Sequence, residues 1–190
     1  ETDPAVLAGL AKGKLRKKHG ALVAALTGRV PPVQRALLGQ QLAHVAYLDR
    51  AIAELDALIE RLLAPYQAEA ARLCTVPGID TRTAEVLIAE LGVDMAPFPS
   101  DHNCASWAGL CPGNSETAGK RRSGRTRKGS PWLRAALSQA AWVVSRTHTY
   151  LGAQYHRIAR RRGKKRAAVA VAHSMLVIAY HILKDGTTYQ

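Results

Sequence analysis

Near the middle of the chain, Ser115, Glu116 and Thr117 place two hydroxyls on either side of a carboxylate. Lys120, Arg121, Arg122, Arg125, Arg127 and Lys128 then supply six cations within the nine residues 120–128. A hydroxyl is a weak nucleophile until a base takes its proton, and attack on a phosphodiester builds negative charge that nearby cations stabilise. Ser115, Thr117 and Ser123 are the candidate nucleophiles, Glu116 is an adjacent acid, and Lys and Arg supply the positive charge. The plainer alternative is a loop that only grips phosphate, and the residues alone leave both readings open.

The surrounding composition fits a polyanionic partner. The chain has 190 residues and a net charge of +13. Residues 1–95 balance 11 basic against 11 acidic groups, whereas residues 96–190 hold 16 basic groups and three acids, Asp101, Glu116 and Asp185. The whole excess therefore lies in the second half, which is the footprint expected of a nucleic-acid-binding domain. A second cationic patch follows the first: Arg157, Arg160, Arg161, Arg162, Lys164, Lys165 and Arg166. Gly78, Lys128 and Arg134 complete the candidate nucleic-acid contacts. Trp107, Trp132, Tyr150 and Tyr155 are interleaved with these segments and could stack on unpaired bases, but the two Trp are expected to fill the core.

Other chemistries find little support. The three acids of the basic half are far apart in sequence, unlike the converging carboxylates of a two-metal nuclease. Neither a phosphate-binding Walker loop nor a GxSxG elbow occurs. Cys74, Cys104 and Cys111 form no CxxC pair, so no zinc or other metal site is expected in this stretch. An odd cysteine count suggests a reducing cytoplasm rather than a disulfide framework. No membrane partner is expected, since no apolar run reaches about 18 residues. A chain that begins at Glu1 reads as a piece of a longer protein.

The elements that must position these residues read as all-α. Helices are expected over 5–27, 34–64, the stretch before Pro77-Gly78, 81–92, 101–108, 131–147, 149–161 and 164–184. In 34–64, Leu38, Val45, Ile52 and Ile59 recur every seven residues, as do Gln41, Leu48, Leu55 and Leu62. That is an a/d seam over four heptads. It suits an amphipathic helix on a local core, or a coiled coil folded back on 5–27 or paired with a second subunit. Residues 1–67 are thus expected as a helical coiled-coil arm and 68–190 as a small helical domain. Within that domain, 70–92 reads as a helix-hairpin-helix-like unit whose Gly turn could approach a DNA phosphate. Asp80 stands where such hairpins usually have a second Gly, which favours an architectural hairpin. Asp80 or Thr81 can cap the following helix. Residues 109–130 read as a long basic loop, and 131–185 as the closing helices.

The stretch from "TVPGIDTRTAEVLIAELG" through "GLCPGNSETAGKRRSGRTRKGSPWLRAAL", with the later "RRGKKRAAVAVAHSMLVIAYHILKDGTTY", resembles the C-terminal half of DEDD-class insertion-sequence transposases related to the Piv invertase. The likeness covers at least residues 70–190. It implies a two-part enzyme: a RuvC-like domain holding a divalent metal, Mg, on four acids, and a domain with a nucleophilic Ser that joins DNA through a covalent phosphodiester. It also implies a prokaryotic protein with DNA as substrate, a structured noncoding guide RNA as partner, and dimers that assemble into tetramers. The RuvC-like half and its metal are not represented in these residues, so this stretch by itself is expected to hold no cofactor and to be inactive. Where the family shows Glu-Ser before a small residue and Gly, this chain has Glu116-Thr117-Ala118-Gly119. The resemblance therefore puts the nucleophile at Thr117. Ser115 is the alternative, and an inactive copy a third. The rival class is a non-catalytic nucleic-acid-binding and dimerisation module.

Overall fold

In the computed structural model the described residues are 3–28, 31–112, 115–117, 120–123, 126 and 128–190, with the backbone alone described for 115–117 and 120–123. Residue contacts divide the chain into two units, Glu1–Ile59 and Glu60–Gln190. The class is all-α, as expected from composition.

In the first unit α1 (Pro4–Gly9) packs on α2 (His19–Leu26), with the 3-10 segment Gly13–Lys18 between them. One continuous helix over 5–27 was the expectation. Instead, Gly13 takes a left-handed φ of 59° and separates two short helices. Helix α3 (Pro32–Leu63) begins in this unit and runs for 32 residues without burying one of them. The apolar seam is thus a single exposed stripe: Leu38, Val45, Leu48, Ile52, Leu55 and Leu62 are all between 43% and 65% exposed. A helix lying on a local core, or one folded back on α1 and α2, would bury this stripe, so neither arrangement holds in this chain.

The second unit is built around α9 (Lys164–Asp185), against which α4 (Gln67–Leu73), α6 (Asp101–Trp107), α7 (Pro131–Val144) and α8 (Tyr150–Arg162) all pack; α5 (Thr81–Leu91) packs on α4 and α7. Val171, Ala172, Met175, Leu176, Ala179, Ile182 and Leu183 recur on α9 at helical spacing and are buried. Each large side chain among them contributes about 1.5–3 kcal/mol of burial. By length and composition α9 could cross a membrane, but 56% of its apolar window is buried in this core, which accounts for its hydrophobicity. Tyr180 enters the same core and its hydroxyl donates to the Phe98 carbonyl at 3.0 Å, tying the 93–100 loop to α9.

Side-chain caps fix where the helices start. Asp80, Ser100, Ser130 and Thr149 accept from the backbone N–H of Thr83, Asn103, Leu133 and Gly152 and open α5, α6, α7 and α8. Such a cap contributes about 1 kcal/mol. The Thr83 side chain first, and then its backbone N–H, hold the Asp80 carboxyl below its usual range by hydrogen bonding to it.

Neither Trp107 nor Trp132 is a core residue, contrary to expectation: they are 46% and 72% exposed, and Tyr150 is 68% exposed, whereas Tyr155 is buried. The core of this unit is filled mainly by Leu, Ala, Val, Ile and Met, with Tyr155 and Tyr180 buried among them. Trp107 retains an edge contact with Phe98, centroids 5.5 Å apart.

Gly78 has a structural role. It sits between α4 and α5 at φ 89°, and a Cβ there would stand 2.3 Å from Val144 Cγ2 and 2.9 Å from the Ala140 carbonyl oxygen. The turn therefore lies directly on α7. Gly78→Ala is expected to cost about 2–4 kcal/mol, from left-handed strain plus overpacking. It should lower the urea midpoint with little change in slope. An unchanged midpoint would mean that the turn does not press on α7.

Candidate nucleic-acid interface

The basic segment is not wholly irregular. Strand β1 (Ser115–Thr117) pairs antiparallel with β2 (Lys120–Ser123), with Ser115 opposite Ser123, Glu116 opposite Arg121 and Thr117 opposite Lys120. The register shifts between Ser115 and Glu116. A bridge between Pro112 and Thr126 closes the base of this hairpin. The sequence reading missed the strands because Gly113, Gly119 and Gly124 mask so short a pattern; the signal present was two polar runs separated by Ala118-Gly119. The backbone thus brings Ser115, Glu116, Thr117, Lys120, Arg121 and Arg122 onto one two-stranded element. Their side chains, and Arg125 and Arg127 altogether, lie outside the described residues.

The base of the hairpin is anchored to the helical core. Arg134, on the first turns of α7, donates from Nη2 to Thr126 Oγ1 at 3.2 Å. Gly129 packs so closely on the Ala108–Gly109 backbone that a Cβ would meet Ala108 C at 2.3 Å and Gly109 N at 2.4 Å. Lys128, Gly129, Arg134 and Ser138 border an open cavity of about 520 Å³ beside the start of α7. Arg134 therefore combines an anchoring contact with a position facing open space.

The second basic patch surrounds the α8–α9 junction. Arg160, Arg161 and Arg162 end α8, and Lys164, Lys165 and Arg166 begin α9 across Gly163, all of them exposed. Cations at the end of α8 complement its dipole, but three cations in the first turn of α9 oppose that helix's dipole. Each such mismatch costs about 0.3–1 kcal/mol, and among the described residues no acid pairs with these groups. An anion bound at the junction would offset that cost. No hydrogen bond of the Gly78 turn points it to a ligand, and the close approach to α7 already accounts for the glycine.

Among the described residues no three His, Cys, Asp or Glu side chains converge as a metal site. The Cys104 thiol is buried and pushed up to about 11, mainly by loss of solvent and secondarily by the Asp101 charge. Cys111 is shifted up by the same two causes.

Comparison with known proteins finds a family likeness. Residues 70–157 match the family Transposase IS116/IS110/IS902. This stretch is similar to that family's domain. The match begins in α4, includes the hairpin, and ends in α8. Related proteins extend the likeness. The chain is 31% identical over 168 residues to the transposase for insertion sequence element IS1328 of Yersinia enterocolitica, covering 84% of this chain and 49% of that protein. It is 31% identical over 122 residues to a 43.6 kDa protein of insertion element IS110 from Streptomyces coelicolor, covering 62% of this chain and 29% of that protein. A transposase-named protein of Sinorhizobium fredii is 29% identical over 163 residues, 40% of its length. The chain thus spans about half or less of the length of these relatives. The transposase-domain match contains both the Ser115–Thr117 strand and the Arg134 anchor, while the Lys164–Arg166 cations follow it.

Proposed function

We propose that this chain is the DNA-gripping and strand-exchange part of a transposase, with Thr117 as the attacking residue. In that step Thr117 Oγ bonds to phosphorus, its proton passes to a base, and a deoxyribose oxygen leaves with its electron pair. The product is a protein–DNA phosphodiester that a second DNA hydroxyl can resolve. Glu116 is the acid closest in sequence to receive the proton. Ser115 takes the role of nucleophile if Thr117 does not. Lys120, Arg121, Arg122, Arg125, Arg127 and Lys128 hold the scissile phosphate, and the α8–α9 cations hold neighbouring backbone. The observation that carries this reading is the register setting Thr117 opposite Lys120 inside the matched transposase domain.

The division of labour follows from the same residues. In this reading the chemistry that needs Mg belongs to a RuvC-like domain outside these residues. A structured noncoding RNA that selects DNA, and dimers or tetramers joined through α3, complete the proposed assembly.

The direct test is a complete protein containing this chain, mixed with DNA carrying the ends of its element. DNA that stays attached to protein on a denaturing gel supports strand exchange. Transposition with only non-covalent complexes removes the nucleophile. Binding by this chain alone is a separate expectation. Engaging about six phosphates should give a log–log salt slope of about −5, near −0.9 per phosphate. Titrations between 50 and 200 mM salt measure it; a flat dependence, or metal-dependent cutting by this chain alone, contradicts the proposed division.

A further inference from the structure

A cavity of about 930 Å³ lies beneath the base of the hairpin, between it and helices α8 and α9. Its size falls within the roughly 300–1,000 Å³ of small-ligand sites. Leu110 and Val169 give it apolar walls. Gln154 and Ser174 supply polar groups: Gln154 Nε2 donates to Ser174 Oγ at 2.9 Å, and Ser174 Oγ donates to the Ala170 carbonyl at 3.3 Å. The Gln154 Oε1 atom is shielded from solvent and has no hydrogen-bond partner among the described residues. A buried acceptor without a donor is costly, so the amide gains by turning toward any donor that enters. Lys165 and Arg166 stand at the rim, and among the described residues no Asp or Glu lines the cavity.

We propose that this cavity seats one unpaired nucleotide of bound DNA, with its base against Gln154 and Ser174 and its phosphates at Lys165 and Arg166. The inference rests on the DNA-binding reading above and adds a specific ligand site to it. A base offers flat apolar faces to Leu110 and Val169, and an exocyclic amine that suits an orphaned amide oxygen; glutamine is a common partner of such base edges. The two rim cations, which pair with no acid among the described residues, then meet negative charge. His173, which also lines the cavity, is held below its usual pKa by burial, with His102 adding to the effect and Asp101 opposing it. Its ring therefore favours the neutral form, suited to contact with a base rather than with phosphate. Taking a base out of the stack is least costly where it is already unpaired. The preferred ligand is accordingly a duplex with a bulged or mismatched position.

The test compares a matched duplex with the same duplex carrying one bulged 2-aminopurine, bound to this chain. The bulged duplex should bind roughly tenfold tighter, as one seated base contributes on the scale of a stacking contact, and its emission should rise as the base leaves the stack. Ala170→Phe, which fills the cavity, should bring that preference below about twofold while matched-duplex binding and its salt slope stay unchanged. Gln154→Leu keeps the volume and should lose most of the preference, which separates recognition from misfolding. Equal affinity for both duplexes in the unsubstituted chain would overturn the nucleotide site and leave the DNA-binding reading intact. Failure to bind either duplex would overturn both.

Discussion

Thr117→Ala should abolish the covalent protein–DNA species in the complete protein, lowering strand exchange by roughly 10⁴-fold or more, the scale seen when a nucleophile is removed. DNA affinity should hardly change, because the six cations at 120–128 remain and affinity is dominated by phosphate contacts. Thr117→Ser keeps the oxygen and removes a methyl that crowds it, so strand exchange should be kept or raised. Arg122→Ala or Arg125→Ala should weaken binding and turnover together. The readouts are adduct on denaturing gels and affinity by titration. Should Thr117→Ala retain full activity while Ser115→Ala loses it, the nucleophile moves two residues back. Should both variants stay fully active, the hairpin only grips phosphate, and the chain is a binding and dimerisation module.

Replacing Ile52 and Leu55 together by Asp should convert a self-associated species into a monomer. Both residues lie on the exposed stripe of α3, at 55% and 58% exposure, and a 32-residue helix without a buried residue has little tertiary packing to support it. Pairing stripe to stripe would remove apolar surface along four heptads. A carboxylate at two seam positions of each copy would have to be desolvated for pairing. The expected rise in dissociation constant is roughly 10⁴-fold or more, from several kcal/mol of lost burial and added desolvation. Sedimentation velocity of the parent and the double variant decides it. If the parent sediments as a monomer, or the variant keeps its mass, the stripe serves something other than self-association.

Sequence alone determined the properties that depend on local order. The seven-residue spacing of Leu38, Val45, Ile52 and Ile59 gives α3 almost its full length, because side-chain period and helix period are linked by backbone geometry. Asp80, one of the two cap candidates before α5, marks that helix's start because a short polar side chain can reach its own backbone. The concentration of charge in residues 96–190 pointed to a polyanion without any coordinates, since net charge is a sum over residues. The residues 115–128 carried the resemblance to a transposase for a related reason: a hydroxyl, an acid and a row of cations are chemistry written in adjacent positions.

Tertiary structure decided what depends on residues distant in sequence. That Gly78 is required by Val144 and Ala140 on α7, rather than only by its own turn, became visible once the two segments met. Trp107 and Trp132 are exposed whereas Tyr155 and Tyr180 are buried, because burial depends on which helix faces meet, and that is not a property of either tryptophan. The hairpin register that sets Thr117 against Lys120 depends on pairing across a turn, with short-range propensities too weak to announce it. The cavity under that hairpin collects Leu110, Gln154 and Lys165 from three separate segments. Side-chain chemistry is local to each residue, whereas a site is a convergence in space, and only the packing of α8 and α9 beneath the hairpin brings those three residues together.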